Sequence, residues 1–353
     1  MKDSFGRTID YLRVSLTDRC NFRCVYCMPE EGFPPIPKAE TLTNDELLRL
    51  LRVAGSLGIR KVRLTGGEPL LRKDLVDLVR SIKALGYFED ISLTTNGHLL
   101  ESLAEPLVKA GLSRINVSLD TLREDRFQAI ARRGSLDVVM SGIRAAQAAG
   151  LSPLKINCVL MKGVNDDEAP DLAAWTLREN VHVRFIEVMP IRWNLDEVES
   201  LDHGDRLTNL IQIKPVAGTM LSDAQMRKMY VAAAEVRASI EAVYGPMEPA
   251  ELKTNGPART YKLAGSLGTV GFISQISSDF CEKCNRLRLT HDGYLRPCLM
   301  SDGELNLREP LRSGISDSEV AALFEHVVKA KPERHYLAEG QKVTSRGMSQ
   351  IGG

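Results

Sequence analysis

The run Leu12-Arg13-Val14-Ser15-Leu16-Thr17-Asp18-Arg19-Cys20-Asn21-Phe22-Arg23-Cys24-Val25-Tyr26-Cys27 changes character halfway along. Strict alternation of apolar and polar residues over 12–16 predicts a half-buried strand, and the cysteines that follow lie in the loop at its carboxyl end. The alternation returns at 61–65, 90–95, 114–119, 154–160 and 182–188. Amphipathic helical stretches separate these strands. The first opens at the capping box Thr43-x-x-Glu46 and stops at Gly58. The second covers 71–85, and the others lie near 99–110, 122–149 (broken at Gly134) and 167–179. Repeated strand–helix units imply parallel strands joined by right-handed crossovers. Six units at a spacing of about 30 residues predict an α/β fold, an incomplete (βα)6 TIM-type barrel over residues 1–190. Residues 191–353 form a smaller C-terminal α+β domain that closes the open side.

Every second strand residue gives one polar face: Arg13 and Ser15; Lys61, Arg63 and Thr65; Ser92 and Thr94; Asn116 and Ser118; Lys155 and Asn157; Arg184. The alternate faces are apolar, from Leu12 and Val14 to Ile156 and Leu160. Outer helices must cover the apolar face. The polar face therefore points into the barrel, a space that branched apolar side chains normally fill. The inward Arg13, Lys61, Arg63, Lys155 and Arg184 need anions to match them. Either solvent and local carboxylates supply these, or a bound polyanion such as a triphosphate does. Acidic residues are rare at the inward positions, which favours the polyanion.

Beyond residue 190 the strand–helix pattern breaks. A helical stretch spans 223–243, a hairpin spans 261–276 with its turn at Gly265-Ser266-Leu267-Gly268, and a helix spans 316–330. Residues 191–255 yield no functional residue. Formal net charge is zero, so no global field draws the chain to nucleic acid or to an anionic membrane. No apolar run approaches the roughly 18–20 residues that a membrane span needs. The start, Met1-Lys2-Asp3-Ser4-Phe5-Gly6-Arg7, has no apolar signal region. A cytoplasmic location follows, and there clustered cysteines read as metal ligands rather than disulfides.

Six of the seven cysteines form two triplets, Cys20/Cys24/Cys27 and Cys281/Cys284/Cys298. A closed zinc site or an ordinary iron–sulfur cluster takes four protein ligands. Each triplet is one short, which leaves a metal position open to something other than protein. Cys158 stands alone; its odd separation from Lys155 puts it on the apolar face of the fifth strand, as an inert buried thiol. The six histidines form no spaced ligand set.

Cys20-x3-Cys24-x2-Cys27, with Thr65-Gly66-Gly67-Glu68-Pro69 after the second strand, resembles the signature of the radical S-adenosylmethionine enzymes. The resemblance implies that Cys20, Cys24 and Cys27 hold a [4Fe-4S] cluster whose free iron chelates S-adenosylmethionine (SAM). Reduction of that cluster then releases a 5′-deoxyadenosyl radical. By the same resemblance Tyr26, Gly67, Ser118 and Met189 contact SAM. Phe280-Cys281-Glu282-Lys283-Cys284-Asn285-Arg286-Leu287-Arg288 with Cys298 resembles, more narrowly, the GTP 3′,8-cyclases of molybdenum-cofactor biosynthesis. There Cys281, Cys284 and Cys298 would hold a second [4Fe-4S] cluster that binds guanine. Arg13, Lys61, Arg63, Thr94, Lys155, Arg184, Arg286, Leu287 and Arg288 would contact GTP. A tail ending in Gly352-Gly353 would enter the active site.

The function so implied is a radical SAM lyase that takes the ribose 3′ hydrogen of GTP and closes C3′ onto C8. A further electron and a proton then give (8S)-3′,8-cyclo-7,8-dihydroguanosine 5′-triphosphate. No residue is assigned as acid or base, because SAM carries the radical chemistry. The implied partners are a reduced flavodoxin- or ferredoxin-type electron donor and the downstream cyclic pyranopterin monophosphate synthase; a homodimer is left open. A radical SAM enzyme that modifies peptides is the rival, but a peptide needs no triphosphate cradle. A non-catalytic iron–sulfur or zinc scaffold predicts complete ligand sets and no Gly-Gly-Glu-Pro loop.

Overall fold

The computed structural model describes residues 1–34, 36–189, 221, 223–252, 256–278, 280–336 and 346–352. Its strands are β1 (Tyr11–Ser15), β2 (Lys61–Thr65), β3 (Asp90–Thr95), β4 (Arg114–Ser118), β5 (Leu154–Leu160), β6 (Val181–Glu187), β7 (Glu248–Pro249), β8 (Arg259–Lys262), β9 (Thr269–Ile273), β10 (Arg286–Leu289), β11 (Tyr294–Arg296) and β12 (Leu305–Asn306). Its helices are α1 (Asn44–Ser56), α2 (Leu75–Ala84), α3 (Leu100–Ala110), α4 (Glu124–Ala131), α5 (Leu136–Ala148), α6 (Ala169–Arg178), α7 (Asp223–Lys228), α8 (Ala233–Tyr244), α9 (Arg308–Arg312) and α10 (Asp317–Lys329).

All of these strands belong to one sheet, ordered β12-β11-β10-β1-β2-β3-β4-β5-β6-β9-β8-β7. The central run from β1 to β6 is parallel throughout. Each edge of that run is then extended by a later strand, β10 beside β1 and β9 beside β6, both parallel. Antiparallel partners finish each side. The two ends of the sheet do not pair with each other, so the barrel is incomplete, as the strand–helix alternation predicts.

Two of the helices, α1 and α10, begin where side chains satisfy free N–H groups. Thr43 Oγ1 accepts from the Glu46 N–H at 3.2 Å while Glu46 accepts from the Thr43 N–H at 2.8 Å, starting α1. Ser316 and Glu319 repeat this capping box for α10. The stretch near 122–149 is broken into α4 and α5, with Arg132 at φ 60° and Gly134 at φ 89° turning the chain. Two expectations need correcting. The second helix starts at Leu75, not at residue 71, because residues 69–71 form a tighter turn that Glu68 caps through the Leu70 N–H at 2.9 Å. The helical stretch at 223–243 is two helices: the Met229 carbonyl accepts from the Lys162 N–H, and Glu187 caps the new start at Ala233.

The core lies between the outer sheet face and the helices. Leu12, Val14, Val62, Leu64, Leu93, Ile115, Val117, Ile156 and Cys158 are all fully buried there. Strand parity thus sends the apolar residues out to the helices and leaves the polar ones for the interior.

Candidate active site

The interior face of the sheet lines a cavity of about 290 Å³. Both cysteine triplets reach it, Cys20, Cys24 and Cys27 from the loop after β1, and Cys281, Cys284 and Cys298 from either side of β10 and β11. All six are free thiols. Among the described residues no set of three or more His, Cys, Asp or Glu side chains is arranged to hold a single metal ion.

Glycine explains how the first cysteine loop is seated. A Cβ on Gly67 would fall 2.2 Å from the Arg19 carbonyl oxygen, and one on Gly66 would fall 2.5 Å from that of Thr17. Without side chains the segment after β2 lies flat on residues 17–19, bonded Gly67 N–H to Thr17 O at 2.7 Å and Glu68 N–H to Arg19 O at 2.7 Å. Glu68 then locks the loop from below. Its carboxylate accepts from the Thr95 hydroxyl (2.7 Å) and the Asn96 N–H (2.7 Å), and burial raises its pKa to about 7.

The thiols differ in electrostatic setting. Burial pushes Cys20 up to about 11 and Cys27 up to about 12. At Cys284 burial also raises the pKa, but Arg286 and Lys331 outweigh it and bring the thiol down to about 7. N–H groups point at four of the sulfurs: Phe22 N–H at Cys20 (3.4 Å), Met300 N–H at Cys298 (3.3 Å), Arg286 at Cys284 (3.7 Å) and Ser349 N–H at Cys27. Such bonds suit thiolates that ligate iron. Cys158 stays in the core with its thiol 3.4 Å from the Asp120 carbonyl.

Between the triplets runs a row of arginines. Arg13 stands in register with Arg288 of β10 on one side and Arg63 of β2 on the other. Two residues earlier Tyr11 lies between Arg286 and Lys61 in the same register. Arg63 donates to the Tyr11 hydroxyl and, at 3.3 Å, to Thr94 Oγ1. Arg286 lies 4.4 Å from the Phe280 ring centroid. Among the described residues no carboxylate pairs with Arg63, Arg184, Arg286 or Arg288. Burial, then repulsion between the cations, lowers Arg184 to about 9 and Arg288 well below its ordinary value.

A smaller cavity of about 30 Å³ adjoins the first, with Arg184 and Gly256 lining both. Lys155 lies here, across β5 and β6 from His182, whose Nδ1 is 2.9 Å from Thr269 Oγ1. Burial, then Arg184 and Arg114, drags Lys155 to about 6, and burial with Lys155 drags His182 to about 4. The wall of the main cavity carries buried polar atoms with no hydrogen-bond partner among the described residues: Arg184 Nε, Asn116 Oδ1, Asn157 Oδ1, Gln275 Nε2 and Ser349 Oγ. A site built for a highly polar, anionic ligand leaves such atoms waiting.

Arg13, Arg63, Thr94, Arg184, Arg286 and Arg288 all line the main cavity, with Tyr26, Gly67, Ser118 and Met189. Tyr26 donates to Asp120 at 2.7 Å. Three residues sit elsewhere. Lys61 is 2.9 Å from Asp10 and does not line the cavity, so a local carboxylate does neutralise this one cation. Lys155 occupies the smaller cavity. Leu287 turns its side chain into the core, fully buried. Gly352 packs on Thr65 and Ser15 at φ 67°, while Gly353 lies outside the described residues. Sequence reading missed Tyr11 and His182, each two residues before a chosen arginine and therefore on the same face. It also missed Lys331 and Ser349, which no periodicity marks.

A Radical SAM superfamily model matches residues 14–176, and a Molybdenum Cofactor Synthesis C model matches residues 210–337. The GTP 3′,8-cyclase of Moorella thermoacetica is 47% identical over 354 residues, and that of Heliobacterium modesticaldum is 49% identical over 355, each alignment covering both chains completely. Streptococcus suis SuiB bound to S-adenosylmethionine shares the fold, with a TM-score of 0.56 at 15% identity over 86% of this chain and 64% of that one. Among the described residues no helix is long and apolar enough to cross a membrane.

Proposed function

The chain belongs to the GTP 3′,8-cyclase family of radical SAM enzymes, and on that premise we propose a role for each wall of its cavity. The enzyme cyclises GTP in molybdenum-cofactor biosynthesis and depends on SAM and a [4Fe-4S] cluster. Cys20, Cys24 and Cys27 hold that cluster. Cys281, Cys284 and Cys298 hold a second one at the opposite end. When bound, the first cluster and SAM supply the one-electron chemistry that removes the ribose 3′ hydrogen and lets C3′ bond to C8.

The protein's own work is placement. Tyr26, Gly67, Ser118 and Met189 surround the SAM end. Arg286 and Arg288, with the Leu287 backbone between them, frame the guanine end. Arg13, Arg63 and Thr94 grip the nucleotide between the two, and Arg184 with Lys155 takes the far phosphates. A guanidinium fork suits phosphate oxygens bidentately, and burial keeps water from competing. Holding the ribose toward the SAM end would make the intermolecular hydrogen transfer effectively unimolecular, and holding the base against the ribose would favour the conformer that closes C3′ onto C8. The observation that carries this reading is the Arg288–Arg13–Arg63 row standing between two cysteine triplets.

Residues 1–190 act as the SAM-binding unit and 191–353 as the second-cluster unit. A flavodoxin- or ferredoxin-type donor supplies electrons, and a cyclic pyranopterin monophosphate synthase consumes the product. Anaerobic reconstitution followed by iron counting and incubation with SAM and GTP tests the whole. About eight irons per chain and GTP-dependent release of 5′-deoxyadenosine are expected. About four irons would remove the second cluster, and release indifferent to GTP would remove the substrate assignment.

A further inference from the structure

The last described segment of the chain, residues 346–352, is gripped far from its end. Arg346 is buried, and its guanidinium meets two carboxylates at once. Nε and Nη2 donate to Glu304 at 2.9 and 3.0 Å, and Nη1 and Nη2 donate to Asp292 at 3.1 and 2.9 Å. The Tyr294 ring lies beneath it, 4.7 Å from centroid to guanidinium carbon. Glu304 in turn accepts from the fully buried Arg296 at 2.6 Å. With Asp302 3.8 Å from Arg296, two arginines and three carboxylates make an ion-paired knot on β11 and the loops that flank it.

The chain leaves this knot under tight steric control. A Cβ on Gly347 would fall 2.6 Å from the Phe33 ring, so any other residue here must push that ring aside. A short turn over 348–350 follows, closed by Gln350 on the Gly347 N–H at 2.9 Å. The Ser349 N–H bonds to Cys27, in the first triplet. Ile351 is buried against Met300, beside Cys298 of the second. Arg288 then donates to the carbonyls of Ile351 (3.2 Å) and Gly352. Seven residues thus touch both triplets and one arginine of the row.

We propose that Arg346 is a positioning residue for the cyclisation: its double ion pair sets where the tail enters the cavity, and so fixes Ser349 against the first triplet and Gly352 against Arg288. This rests on the reading of the cavity given above. Lysine cannot replace the planar fork, since a point charge does not hold two carboxylates in one plane.

Two full-length variants test it, Arg346→Lys, which keeps the charge, and Glu304→Gln, which keeps Arg346. Each is reconstituted with iron, assayed for GTP cyclisation, and digested with trypsin under native anaerobic conditions, with mass spectrometry reading cleavage after position 346. Iron content equal to the parent, kcat lower by about tenfold or more, KM for GTP changed far less, and faster cleavage at 346 are expected. Parental turnover in both variants overturns the proposal, as does lost turnover with cleavage still slow. Should one variant shed iron, the other decides. If the parent enzyme itself fails to cyclise GTP, the functional reading falls instead, and the protease arm still judges the clamp.

Discussion

Arg13 and Arg288 face each other directly across two parallel strands whose sequences lie near opposite ends of the chain. Neighbouring strands run about 4.8 Å apart, so the half-buried Arg13 and the buried Arg288 guanidinium groups repel each other. That repulsion belongs to the ligand-free fold; a bound triphosphate would relieve it.

Arg184→Met separates those two states. Arg184 is buried, its Nε lacks a partner among the described residues, and it pairs with no carboxylate there. Removing an uncompensated buried cation relieves the empty fold while costing charge-assisted bonds of about 1.5–3 kcal/mol to the ligand. Differential scanning fluorimetry should show a ligand-free melting temperature at or above that of the parent, with GTP affinity lower by roughly tenfold or more. A variant that melts lower and binds GTP normally would show Arg184 to be structural.

Proton linkage should single out Lys155. Its pKa falls from 10.5 to about 6 in the fold. Across that window the unfolded chain holds a proton that the native chain has released, so ligand-free stability rises with pH there. The slope is at most about 1.4 kcal/mol per pH unit. A triphosphate beside the amine reverses the shift, and GTP binding near pH 7.5 should then take up a proton. Calorimetry in phosphate and in Tris would report different binding enthalpies, and Lys155→Met would erase the difference. Identical enthalpies for the parent would take Lys155 away from the phosphates.

Gly67→Ala attacks the SAM end through the backbone. Its Cβ would strike the Arg19 carbonyl oxygen at 2.2 Å and lift the cysteine loop off the segment after β2. Cleavage of SAM, followed as 5′-deoxyadenosine, should fall by roughly a hundredfold, while the Cys281–Cys298 end keeps its iron. Unchanged cleavage would mean that the loop is seated some other way.

Changes at two cysteines should have different effects. Cys298→Ser should remove about four irons and abolish GTP-stimulated turnover. Cys158→Ala, in the core behind β5, should leave iron and turnover intact and cost about 1 kcal/mol of stability by chemical denaturation. Iron loss from the second variant would overturn the division between ligand and core thiols.

Much of the site was legible because a strand has a period of two. Once Arg13, Arg63 and Arg184 are placed inward, every second neighbour follows, and the packed apolar face of Leu12, Val62 and Ile156 confirms the choice of side. What periodicity does not carry is distance along the strand. Lys61 shares a face with Arg63 yet sits at the wrong end, where Asp10 reaches it. Nor does it carry partnership between remote segments: nothing local to 286–289 says that this strand lies beside β1, or that the chain's last residues return to the first cysteine loop. Those are properties of the assembled sheet.

That assembled sheet also dictates when the molecule can fold. Both outer strands of the parallel run, β1 and β6, acquire their second partner only from β10 and β9, made late in synthesis. Until then a nascent chain presents two bare sheet edges and a cavity wall rich in arginine. Unpaired edges recruit other chains, and pairing between remote segments is slow. A truncated chain should therefore aggregate rather than yield a smaller working barrel, and a chaperone that shields β1 until residue 289 emerges would raise the yield of whole enzyme.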